Sequence, residues 1–224
     1  MKIISVNVGF PKELEWKGKA VITSIFKSPV AGTVKIRKLN LDGDRQADLT
    51  VHGGKDKAIY VYPSEHYEFW RRELPVEELP WGMFGENLTV QGLFEDAVNI
   101  GDTMRIGTAE AIVAQPRLPC YKLGVRFGRP DMVKRFLQSR RTGFYLRVLR
   151  EGEVAAGDAI EWMSRDPNQV AITDIVRLYM FEPNDRKTMR RAMEVEALPE
   201  GWRQYFYQQT DKLARSGHAD NALK

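Results

Sequence analysis

Few residues in this chain could do chemistry, and the first is its single cysteine. Cys120 ends the stretch Gln115-Pro116-Arg117-Leu118-Pro119-Cys120. Pro116 ends regular strand pairing and Pro119 stiffens the approach to the thiol. Arg117 and Lys122 bracket it with positive charge. An ordinary thiol, with a pKa of about 8.5, is largely protonated at neutral pH, and nearby cations raise the thiolate fraction. A rigid, cation-flanked cysteine outside a strand points to a reactive or metal-ligating thiol rather than to apolar filler.

A second stretch, residues 41–58, concentrates Arg45, Asp48, His52, the pair Gly53-Gly54 and Lys55. Paired glycines let successive backbone N–H groups converge on an anion, and an arginine adds a bidentate clamp. A long decorated turn has the same composition. In a third stretch, residues 82–92, a Gly-Phe-Gly turn leads into Glu86-Asn87 at a strand start. Asparagine both donates and accepts, which suits a heterocycle edge, or equally a backbone partner in a hairpin. His52 as base with Cys120 would also suit a thiol hydrolase. No nucleophile elbow, phosphate-binding loop or dinucleotide fingerprint is present.

The elements that must position these residues are mostly strands. Residues 2–8, 19–26, 33–39, 57–62, 87–90, 104–115, 144–149 and 159–163 are rich in β-branched residues and partly alternate. So many short strands, punctuated by Gly-Asp turns, predict a closed or nearly closed barrel. Two helices interrupt it: 64–74, capped by Ser64, and 131–141, capped by Asp131. After Met163 the pattern changes to helices. Ile172, Ile175, Val176 and Tyr179 fall on one face, Asn184 caps a second helix, and Trp202, Tyr205 and Phe206 form an aromatic stripe on a third. The stripe reads as core. The organisation expected is a barrel over 1–163, a linker over 164–168 and a three-helix domain over 169–224, mostly β and α+β overall. A helical unit this small is marginal alone, so it should pack on the barrel or on a partner.

Composition narrows the function classes. With 43% hydrophobic and 29% charged residues the chain is ordinary for a globular protein. No apolar run approaches the about 18 residues a membrane helix needs, and the N-terminus does not read as a signal peptide. One cysteine forms no internal disulfide, which fits a reducing cytoplasm, and it cannot hold an iron–sulfur cluster. The net charge of +4 suits an anionic ligand but lacks the dense basic stripe of a nucleic-acid binder.

In order along the chain, "IFKSPVAG" (25–32), "GDRQADLTVHGGKDKAIYVYP" (43–63), "GMFGENLT" (82–89) and "QPRLPCYKLG" (115–124) resemble the MOSC family, the domain type found at the C-terminus of molybdenum-cofactor sulfurases. The "HGGKDKAIYVYP" run and the helical tail resemble its YiiM subgroup, linked to resistance to 6-N-hydroxylaminopurine. The resemblance spans essentially the whole chain. It implies a MOSC-type β-barrel with a C-terminal three-helix domain and a molybdopterin-type molybdenum cofactor. Cys120 matches the family cysteine that ligates molybdenum in redox-active members, or that carries sulfur as a persulfide in others. Lys27, Arg45 and Arg117 are then assigned to the cofactor's anionic end, with the Gly53 backbone nearby. His52 and Asn87 would contact pterin or substrate, Asp48 would orient a cation, and His52 would supply protons. The activity implied is two-electron reduction of N-hydroxylated compounds, fed by an external flavoprotein or ferredoxin-like donor, in a monomer or homodimer. A sulfur carrier using a Cys120 persulfide and a non-catalytic anion-binding barrel are the alternatives.

Overall fold

The computed structural model describes residues 1–47, 53–75 and 78–219. The strands are β1 (Lys2–Val8), β2 (Lys12–Trp16), β3 (Lys19–Thr23), β4 (Ser28–Pro29), β5 (Val34–Ile36), β6 (Ile59–Pro63), β7 (Leu88–Gln91), β8 (Thr103–Ile106), β9 (Ala109–Pro116), β10 (Phe144–Arg150), β11 (Gly152–Val154) and β12 (Ile160–Ser164). The helices are α1 (Glu65–Glu73), α2 (Tyr121–Phe127), α3 (Met132–Ser139), α4 (Ile172–Met180), α5 (Arg186–Glu194) and α6 (Glu200–Ala219), and a 3-10 turn covers Lys55–Lys57.

Eight strands form one mixed sheet in the order β12-β8-β9-β10-β6-β7-β1-β4. The ladder is antiparallel except between β6 and β7, which run parallel because α1 carries the chain across. Of the closed or nearly closed barrel expected, the fully closed form is not present among the described residues. The sheet curls until β1 meets the start of β12, but only a bridge joins them: Ile3 N donates to Asp158 O at 2.9 Å and Ile160 N to Met1 O at 3.0 Å. Edge β4, two residues long, is too short to carry a ladder around.

Strand β6 shows how the layers are built. All of Ile59-Tyr60-Val61-Tyr62-Pro63 is buried. Its alternation sends Ile59 and Val61 into one apolar cluster and Tyr60 and Tyr62 into another. The first cluster joins the sheet to Ile172, Ile175, Leu178, Met189 and Phe206 of the C-terminal helices. The second is aromatic and joins it to Tyr67 and Trp70 of α1, Leu123 of α2 and Phe136 of α3. The C-terminal helices therefore share the core of the sheet, as their marginal size requires.

Several local expectations change. The run 104–115 is a hairpin, β8 and β9, turning at Gly107 with φ +57; a Cβ there would stand 2.2 Å from Glu153 O. Asp185 rather than Asn184 caps α5, its carboxylate accepting from Thr188 N at 3.1 Å. Tyr179 is 39% exposed, leaving Leu178 to complete the buried face of α4. Helix α2 adds to the two helices expected in this region, and it carries Gly124 where a Cβ would lie 2.9 Å from Arg129 O, so close packing explains the glycine. No helix among the described residues is long and apolar enough to cross a membrane.

Phe206 is fully buried where sheet and helices meet. Phe206→Ala is expected to cost about 3–5 kcal/mol and to shift one cooperative urea transition seen by circular dichroism and tryptophan emission. Two separated transitions would show that the helices fold apart from the sheet.

Candidate functional site

The sheet's strand ends gather around Cys120. Strand β9 delivers it: between Tyr145 and Leu146 the β9–β10 register slips, with Gln115 opposite Tyr145 and Val113 opposite Leu146. This bulge bends β9 just before it leaves the sheet at Pro116. Arg117 N still donates to Gly143 O at 3.3 Å, and Cys120 follows as the residue that caps α2. Cys120 is half-buried in a cleft of about 100 Å³. Ser24, Lys27, Asp44, Lys57, Asn87 and Arg117 also line it.

Arg117 is 5% exposed. Its guanidinium lies over the rings of Tyr60 at 5.3 Å and Phe136 at 5.0 Å, a cation–π arrangement that suits a flat delocalised cation. Its Nη2 reaches Phe84 O at 3.5 Å, while Nη1 is buried with no hydrogen-bond partner among the described residues. Ser24 Oγ, in the same cleft, is also buried and unpartnered among them. Burial holds the Tyr60 phenol well above its ordinary pKa, so it stays protonated and donates to Thr142 O at 2.9 Å.

Asp44 anchors the opposite wall. It is 5% exposed and accepts from Gly9 N at 2.9 Å, from Asn87 Nδ2 at 2.9 Å and from the ammonium of Lys27. Burial pushes Lys27 below the ordinary lysine pKa, against the pull of Asp44 and Glu86. The half-buried Lys57 is also lowered by desolvation, with Asp56 and Cys120 pulling the other way. Asn87 accepts from Tyr60 N at 3.0 Å, so its amide is committed to Asp44 and to strand β6. Glu86 beside it is fully buried, accepting from Gly82 N at 2.8 Å, Phe84 N at 3.1 Å, Thr89 Oγ1 at 2.9 Å and the Tyr67 hydroxyl. Burial raises its pKa, opposed by those donors.

Of the residues singled out in the sequence, Lys27, Asn87, Arg117, Cys120 and Lys122 thus come together in one cleft. Arg45 does not join them: it is exposed, and its backbone N donates to Gly9 O at 3.1 Å. Gly53 lines a neighbouring groove. Asp48 and His52 lie outside the described residues. Sequence reasoning missed Ser24, Asp44, Lys57 and Tyr60. Asp44 stood in a Gly-Asp turn pattern and Lys57 at a strand start, which gave structural explanations for both.

The comparisons with known proteins bear on this cleft. A family model described as a MOSC domain matches residues 48–161, and one described as a YiiM-like, 3-alpha helix domain matches 170–210. The chain belongs to the MOSC family. Among its MOSC relatives, an uncharacterized Bacillus subtilis protein, YflK, is 42% identical over 94% of this chain and 95% of its own length. The crystal structure of YiiM from Geobacillus stearothermophilus superposes with a TM-score of 0.78 at 36% identity, covering 93% of this chain and 98% of that one. A protein named "Reductase" from Gibberella moniliformis is 32% identical over 72% of this chain, which spans 29% of that longer protein.

Two substitutions separate structural from peripheral cations. Lys27→Met strands Asp44 as a buried charge and should destabilise the fold by about 3–5 kcal/mol in urea unfolding. Arg45→Ala, at an exposed position, should stay within about 0.5 kcal/mol. Glu86→Gln turns an amide NH2 toward backbone donors and should cost about 1–3 kcal/mol, read as a lowered melting temperature.

Proposed function

We propose that this protein is a molybdenum-cofactor-dependent reductase of N-hydroxylated compounds, 6-N-hydroxylaminopurine among them. The observation that carries the reading is the unpartnered, buried Nη1 of Arg117 in the same cleft as Cys120. A buried guanidinium N–H left unmade costs about 1–3 kcal/mol or more, so it calls for an anionic acceptor. Ser24 Oγ offers a second unanswered donor. A soft thiolate for a metal and hard cationic donors for a phosphate form a donor set that fits a metal-bearing, phosphorylated pterin. Membership of a domain family typified by the C-terminus of molybdenum-cofactor sulfurases supports the same cofactor, and the relative named "Reductase" supports the reaction class.

In this reading Cys120 Sγ would hold the molybdenum, and Arg117 with Ser24 would hold the phosphate. When bound, the cofactor supplies the two-electron reduction R–NHOH + 2e⁻ + 2H⁺ → R–NH2 + H2O. Lys57 Nζ carries a proton beside Cys120, and its partial desolvation makes that proton easier to give up than an exposed lysine's. His52 is the other proton donor assigned. Asp44, Lys27 and Asn87 keep the wall of the cleft fixed by satisfying one another. The electrons come from a flavin- or ferredoxin-like donor outside these 224 residues, because one cysteine cannot ligate an iron–sulfur relay within them.

The test is elemental analysis of protein purified from cofactor-replete cells. Wild type is expected to carry near-stoichiometric molybdenum, Cys120→Ala to lose it, and Arg117→Gln to lose bound pterin measured by fluorescence after oxidation. Absence of metal from both wild type and Cys120→Ala would overturn the reading and direct attention to persulfide labelling of Cys120.

A further inference from the structure

The aromatic stripe of α6 is only partly core. Phe206 is fully buried, but Trp202 and Tyr205 are half-buried and Tyr179 of α4 is 39% exposed. Ring centroids of Tyr179 lie 5.3 Å from those of both Trp202 and Tyr205. These three rings line a groove of about 560 Å³, together with Gly53, Lys57 and Leu118. Lys57 and Leu118 also line the Cys120 cleft, so the groove and the cleft share a wall and adjoin.

The aromatic side of the groove is held in position. Trp202 Nε1 donates to Gln115 Oε1 at 3.0 Å, and Gln115 Nε2 donates to Asp56 O at 3.0 Å. The indole is thereby tied to β9 at its bulge and to the 3-10 turn that carries Lys57. Among the described residues, nothing lies within 4 Å of where a Cβ on Gly54 would stand. Rigid, partly exposed aromatic rings beside an open glycine turn suit a flat, uncharged ring, and stacking on aromatic side chains is worth about 1–3 kcal/mol per base.

We propose that this groove binds the planar ring of an N-hydroxylated heterocyclic base, with its hydroxylamino group directed past Lys57 and Leu118 toward Cys120. The inference rests on the reductase reading and adds that the C-terminal helices select the substrate. An aliphatic hydroxylamine would enter the cleft without using the rings.

Tyr179→Ala and Tyr205→Ala test this, each first compared with wild type by thermal unfolding and by pterin content. Tyr179 is the more exposed, so its variant keeps the test open if Tyr205→Ala folds poorly. Adenine titrated calorimetrically should bind wild type and lose roughly 10-fold in affinity in the variants. The ratio of kcat/KM for 6-N-hydroxylaminopurine to that for hydroxylamine should fall by a similar factor. No adenine binding to wild type, an unchanged ratio, or loss of pterin with the tyrosine would overturn the proposal; the last would assign the rings to the cofactor. If wild type reduces neither compound yet adenine binding falls in the variants, the reductase reading fails and the ring site stands.

Discussion

A carboxylate taken out of water has to be answered by donors, and Asp44 is answered from three parts of the chain. Gly9 N follows β1, Lys27 precedes β4 and Asn87 opens β7. Asn87 extends the network by accepting from Tyr60 N on β6. One buried charge thus fixes the relative positions of four segments on one side of the cleft. Removing Lys27 would leave that charge without its counter-charge, and removing Asn87 would take away one of its donors, so the wall is set as a unit. Tyr60 carries that frame to Arg117, whose guanidinium lies over its ring.

The second constraint is strand β6, buried on both faces. Tyr60 belongs to the aromatic layer and to the cleft at once, packing under the Arg117 guanidinium while its neighbours Ile59 and Val61 face the core shared with the C-terminal helices. A cation in this position is held by π faces instead of a carboxylate. Among the described residues its charge has no carboxylate partner that would compete with an anionic ligand. Gln115 makes the corresponding link on β9: the bulge beside it bends the strand where it reaches both Trp202 and the 3-10 turn.

The site was legible in the sequence where its members are close along the chain. Arg117 and Cys120 stand three residues apart, each directly after a proline, so their proximity needed no fold to establish it. Asp44 and Lys57 were not legible, because turn and strand-start positions account for such residues without any site. Arg45 shows the converse. Its type suited an anion, but its exposure follows from the turn that buries its neighbour Asp44. Tyr179 and Tyr205 lie at helical spacing with core residues, and periodicity cannot tell a ring in the core from one at the rim of a groove.

What the sequence by itself determined was the character of each segment: β-branched alternation for the strands, amphipathic runs for α1, α3 and the C-terminal helices, and a lone thiol among cations. Those are local properties, fixed by side-chain period and backbone chemistry. The curl of the sheet that stops short of closure, the bulge in β9, the glycine-bearing helix α2 and the junction of cleft with groove were decided only by tertiary structure. Each depends on contacts between residues far apart in the chain, such as Trp202 with Gln115 or Asp44 with Asn87, whose strength comes from burial that no local window contains.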